Sequence, residues 1–90
     1  MAMSRPWRVL VSRRAERVLR RLPRDVLERI SAAIDALATD PHPPGSIQLT
    51  GHDLYRIRVG RWRIIYAVQD EELIVLILTV APRGEAYRNL

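Results

Sequence analysis

The chain contains no cysteine, which excludes a disulfide framework and a thiolate metal site. Its two histidines, His42 and His52, stand ten positions apart in a stretch rich in proline and glycine. A metal needs several ligands drawn to one point, so neither a metal nor another cofactor is expected. Lysine is also absent: all 15 basic residues are arginine. Codon bias in a G+C-rich genome is one cause; the fit of arginine's planar fork to phosphate is another. Codon bias does not explain where the arginines stand. Long apolar runs are missing too, since the longest, Leu73 to Ala81, has about nine residues where a spanning helix needs ~20. Arg5 and Arg8 precede only a short apolar run, without a secretory cleavage pattern. A cytoplasmic location and no membrane contact are expected.

What is present fits one domain over residues 1–90, with a net charge of +5. A domain of this size has a net stability of about 5–13 kcal/mol, so a site that crowds like charges draws on a small reserve.

Trp7 to Val11 reads as a short strand, and Ser12 as the N-cap of a helix through Leu22. Ala15, Val18, Leu19 and Leu22 recur at the spacing of one helical face. Pro23 breaks that helix. A second runs from about Arg24 to Ala38, with Val26, Leu27, Ile30, Ala33, Ile34 and Leu37 on its buried face. Asp40-Pro41-His42-Pro43-Pro44-Gly45 then forms a rigid connection. Leu54 to Val59, Trp62 to Val68 and Leu73 to Val80 are rich in β-branched and aromatic residues and read as strands. Gly60-Arg61 suits a type II′ hairpin turn, and Asp70-Glu71, with or without Glu72, makes the next. The expected fold is α+β: an N-terminal strand, an antiparallel helix hairpin and a three-stranded antiparallel meander (β-α-α-β-β-β). The helices pack on one face of a largely antiparallel sheet. The last strand is apolar on both faces, so it is expected in the middle of the sheet. Its register is left open, because the length of the preceding turn decides which residues face the core.

A two-residue loop at Gly60-Arg61 fixes the register of the first hairpin: Val59 opposes Trp62, Arg58 opposes Arg63, Arg56 opposes Ile65 and Tyr55 opposes Tyr66. Side chains alternate faces. Tyr55, Ile57, Val59, Trp62, Ile64 and Tyr66 therefore form a core face, and Arg56, Arg58 and Arg63 gather on the other beside Ile65. Like charges directly opposed across a ladder cost up to about 1 kcal/mol. Three arginines without an acidic neighbour in the patch point to a polyanion. Pro82 should stop the last strand, releasing Arg83 near a sheet edge. Tyr87 follows, with a ring suited to packing or to stacking on an unpaired base. A second basic surface lies on the first helix, where Arg13, Arg17 and Arg20 share a stripe, flanked by Arg14 and Arg21 and followed by Arg24. Such a stripe suits phosphate, or an acidic protein partner.

Leu54 to Tyr66 and Leu78 to Arg88, with Leu22-Pro23 and Asp40-Pro41 at the helix ends, resemble the RelE branch of the RelE/ParE toxin superfamily. The resemblance covers nearly the whole chain. It implies a toxin of a type II toxin–antitoxin pair, a ribosome-dependent mRNA endoribonuclease (an mRNA interferase) that inhibits translation. The implied partners are the ribosome, its mRNA and a cognate antitoxin, RelB-like or other, held in a hetero-oligomer. The two basic surfaces imply an antitoxin that is acidic or amphipathic where it wraps the toxin. By position, Arg56 and Arg58 match the family's basic pair, Arg63 its central arginine, Arg83 its last basic residue and Tyr87 its C-terminal tyrosine. These five are the implied catalytic set. Arg13, Arg17, Arg20 and Arg24, with Arg61 in the turn, are expected to bind RNA. The implied chemistry is transesterification, in which the ribose 2′-hydroxyl attacks the adjacent phosphate. The chain departs from the pattern by having arginine where many relatives have lysine in the pair, and Pro82 where many have histidine. Arginine is a poor general base. His52 and Asp53 substitute only if their loop folds back. The resemblance also admits a ParE-like DNA gyrase inhibitor, or a relative that binds RNA or antitoxin without cutting.

Overall fold

In a computed structural model, which describes residues 7–49 and 53–84, the expected elements appear with one addition. Strand β1 (Arg8–Val11) leads into helices α1 (Arg13–Arg21) and α2 (Arg24–Leu37). A two-residue strand β2 (Ile47–Gln48) follows, then β3 (Leu54–Val59), β4 (Trp62–Gln69) and β5 (Ile74–Pro82). The strands form a single sheet in the order β1-β5-β4-β3-β2. Every neighbouring pair is antiparallel except β1 and β5, which run parallel. Among the described residues no helix is long and apolar enough to cross a membrane.

Both helices lie on one face of the sheet, α1 along β5 and α2 against β1 and β3. Ala15, Ile30, Ile34 and Leu37 bury there against Ile57, Ile64, Tyr66, Val75, Ile77 and Val80. Each aliphatic side chain removed from water contributes about 1.5–3 kcal/mol, which is what holds the helices down. Ser12 is the N-cap of α1, its Oγ accepting from the Ala15 amide at 3.1 Å. The same hydroxyl donates to the Leu78 carbonyl at 2.9 Å. Leu78 is the extra residue of a bulge: Ile65 pairs with Thr79 but Tyr66 with Ile77. The bulge explains why Val75, Ile77 and Val80, with unequal spacing, all reach the core.

The connection after α2 is held by its own residues. Asp40 Oδ1 accepts from the His42 amide at 2.9 Å, and Ser46 N donates to Pro43 O at 3.0 Å across Pro44 and Gly45. Gly45 has φ 90, which suits the third residue of such a turn. The Tyr66 hydroxyl donates to Pro41 O at 2.7 Å and fastens the connection to the sheet.

Three expectations need correction. The connection contains β2, which pairs Ile47 with Arg56 and Gln48 with Tyr55; two residues are too few to show an alternation. The β4–β5 turn has four residues, Asp70 to Leu73, not two or three, and Leu73 takes φ 55. Because the turn takes up Leu73, β5 starts one residue later than expected, and it continues to Pro82. The expectation that β5 is central is met, with β1 on one side and β4 on the other.

Candidate nucleic-acid interface

The β3–β4 hairpin has the register derived above: Val59 opposes Trp62, Arg58 opposes Arg63 and Arg56 opposes Ile65. Gly60 has φ 59 and Arg61 is not in the positive-φ region, which makes the turn type II′ rather than I′. Since the helices cover the Ile57–Ile64–Tyr66 face, Arg56, Arg58 and Arg63 belong to the opposite one.

That face is not an even open patch. Arg58 is exposed and Arg56 half-buried, whereas Arg63 is only 7% exposed. Ile65 and Thr79 beside it are buried too. The Arg63 guanidinium turns back along the hairpin, its Nη1 donating to Trp62 O at 3.2 Å and to Gly60 O at 3.4 Å. This eases the opposition of Arg58 and Arg63 without removing it, because the Arg63 guanidinium is drawn onto the Gly60 and Trp62 carbonyls but keeps its charge.

Arg83 leaves the end of β5 beside the turn, its amide donating to Arg61 O at 2.9 Å. Because β1 pairs only as far as Ile77, β5 has β4 alone beside it here, and Arg83 emerges near a free edge of the sheet. Arg61, Trp62, Pro82 and Arg83 line a cleft of about 300 Å³. A second cleft of about 300 Å³ is lined by Arg56 and Arg58 with Ile57, Pro44, Gly45 and Ile47, the last from the strand that periodicity missed. Sequence reasoning also missed Arg29. A Cβ placed on Gly60 would meet its Nη2 at 2.6 Å, so α2 lays a guanidinium over the hairpin turn. No local pattern marks that contact, which depends on how α2 crosses the sheet.

The helical arginines divide. Arg13, Arg17, Arg20 and Arg24 are all exposed. Arg20 pairs with Glu16 at 3.3 Å and Arg24 with Glu28 at 3.8 Å. Arg17 lines a cleft together with Trp62. The helices cover the sheet face opposite to Arg56, Arg58 and Arg63, and Trp62 lines both the cleft of Arg17 and that of Arg61 and Arg83. Tyr87 and His52 lie outside the described residues. Asp53 sits before β3, at the end remote from the turn and roughly 17 Å along the strand from Arg58. His42 packs edge-on against Tyr55 at 4.7 Å, on a residue whose side chain alternates away from Arg56. Among the described residues no group of three His, Asp or Glu side chains converges as a metal site would require.

The family model for the ParE toxin of type II toxin–antitoxin systems matches residues 9–87. A toxin named RelE1 of Methanocaldococcus jannaschii is 31% identical over 87 residues, covering 92% of this chain and 97% of its own. A RelE toxin of Mycobacterium tuberculosis is 32% identical over 94 residues, covering 98% and 93% respectively. Among solved structures, the RelE–RelB complex of Pyrococcus horikoshii matches with a TM-score of 0.80 at 33% identity, over 90% of this chain and 99% of that one.

Proposed function

The chain belongs to the RelE/ParE family of type II toxin–antitoxin toxins, on its RelE side, and from that premise we propose a ribosome-dependent mRNA endoribonuclease. The observation that carries the proposal is the gathering of Arg61, Arg63 and Arg83 around one hairpin turn. Arg83 is tied to the turn through its amide, and Ala81, two residues before it, pairs with Arg63. In the proposed reaction the ribose 2′-oxygen bonds to the adjacent phosphorus and the 5′-oxygen leaves with a proton. The products are a 2′,3′-cyclic phosphate and a free 5′-hydroxyl. The phosphorane carries extra negative charge, which Arg61 and Arg83 at the cleft stabilise, joined by Arg63 once its guanidinium turns outward. Arg56 and Arg58 steer and hold the flanking phosphates, while Tyr87 stacks the base. With no amine or imidazole in the motif, the acceleration comes from positioning and charge, and the rate is low.

The solved RelE relatives include complexes with RelB antitoxins. A cognate antitoxin that forms a hetero-oligomer with this chain belongs to the proposal. The burial of Arg63 favours a second reading, a relative that binds RNA without cutting it, because a guanidinium committed to turn carbonyls must turn outward to meet a phosphate. Cleavage products decide between the two. The nuclease reading requires 2′,3′-cyclic phosphate ends within the A-site codon of ribosome-bound mRNA, and their loss when that codon carries 2′-deoxyribose. Bound but intact mRNA favours the second reading.

A further inference from the structure

Arg29 stands at the hairpin turn without a part in the proposed reaction. It lies in the second turn of α2 and is exposed. Asp25 precedes it by four residues, the spacing and order that favour an ion pair along a helix. That pair is not made. Among the described residues Arg29 stands in no ion pair, and its neighbour Glu28 is taken by Arg24 at 3.8 Å. Its guanidinium lies over the turn instead, where Nη2 would stand 2.6 Å and Cζ 3.9 Å from a Cβ on Gly60. Glycine at this position is therefore needed twice, for its φ of 59 and for the guanidinium above it. Arg61 follows in the same turn, and Arg83 is tied to it through the bond from its amide to Arg61 O.

We propose that Arg29 is a further RNA-binding residue, which takes a backbone phosphate next to the one held in the cleft of Arg61 and Arg83. The strand then passes from that cleft over Gly60 towards α2. The inference deepens the proposed function and rests on the RNA reading stated there. A residue that only braced the turn would need an acceptor, and the Gly60 Cα offers none. The Gly60 carbonyl accepts from Arg63. Held away from Asp25 and beside Arg61, the Arg29 charge adds to a positive field that only an anion offsets. Because Gly60 has no side chain, a strand can come close to the turn and meet the guanidinium there.

Binding of the full chain to a short labelled oligouridine, followed by anisotropy between about 50 and 200 mM salt, tests the contact without cleavage. Each phosphate met on a single strand contributes about 0.7 to the slope of log affinity against log salt. Arg29→Ala should lower affinity at low salt by about five-fold and flatten the slope by about that amount, whereas Arg29→Lys should keep the slope. Arg8, exposed at the opposite end of the sheet, is the control for net charge: Arg8→Ala should leave the slope unchanged. Gly60→Ala keeps every arginine but sets a methyl group against the Arg29 guanidinium. It should weaken binding as Arg29→Ala does, and most of that effect should disappear in the Arg29→Ala background. A slope that Arg29→Ala leaves unchanged overturns the inference, as does a Gly60→Ala effect equally large in both backgrounds. Arg83→Ala separates the two levels of the argument. If it flattens the slope and Arg29→Ala does not, the RNA reading stands and the Arg29 contact falls. If the wild-type protein binds the oligonucleotide without salt dependence, or not at all, both fall.

Discussion

Arg58 and Arg63 face each other across the hairpin, yet one is exposed and the other buried. A residue chosen only for stability at position 58 would be acidic or neutral. Arg58→Glu should therefore raise stability by about 0.3–1 kcal/mol in urea denaturation, and at the same time lower RNA affinity, read by anisotropy of a labelled oligonucleotide. A loss of stability would show that the opposed pair carries no repulsion. Tyr66 has a different role at the same scale. It is fully buried, and burial pushes its phenol up to about 12, with the negative charges of Tyr55 and Asp40 adding and Ser46 opposing. A raised pKa means that the folded state holds the proton more tightly than the unfolded chain. Its contribution is thus complete below the ordinary tyrosine value of about 10 and is lost as pH climbs from there towards 12. Tyr66→Phe should lower stability by about 1–2 kcal/mol at neutral pH through the lost bond to Pro41 O, and should flatten the alkaline decline. Denaturation curves from pH 8 to about 12 test both halves.

At the scale of elements, Ser12 joins two features that sequence reasoning treats separately. Its hydroxyl caps α1 and also holds the Leu78 carbonyl at the bulge of β5. Ser12→Ala should cost about 1–2.5 kcal/mol, more than an ordinary cap, and should speed amide exchange at the start of α1 and around Leu78 together. Loss of protection at α1 alone would mean that the bulge holds itself. The bulge also shows what the sequence conceals. The β3–β4 register was legible because a two-residue loop with glycine first allows a single pairing. That of β5 was not, because Leu78 inserts one residue without any compositional mark, and Leu73 enters a positive φ that glycine or asparagine would have advertised. Strand β2 offered two residues, and β1 gave no hint that it would pair in parallel with β5. The same limits apply to the site. Alternation put Arg56, Arg58 and Arg63 on one face but said nothing of how deeply each would sit. Arg29 reached the turn through the packing of α2, which no local pattern encodes.

Seen as a whole molecule, the charge is uneven. The helices cover one sheet face and carry arginines outward, the other face carries the hairpin arginines, and the two sets come together around Trp62. With a net charge of +5 and no lysine, the strongly basic side chains that the chain offers to a polyanion are all guanidinium groups. Binding to ribosomes or to single-stranded RNA should weaken steeply between about 50 and 200 mM salt, by ten-fold or more for several phosphate contacts, as measured by sedimentation or anisotropy. A flat salt response would remove the phosphate reading of both surfaces. The central claim is that this arrangement cuts mRNA on the ribosome, and it meets its most direct test in primer extension on mRNA bound to 70S ribosomes. The purified toxin is compared there with Arg63→Ala and Arg83→Ala, each first shown to be folded. The expected result is a stop within the A-site codon that is absent without ribosomes and lost in both variants. Full-length mRNA from folded, antitoxin-free wild-type protein, or a cut that survives both substitutions, would contradict it.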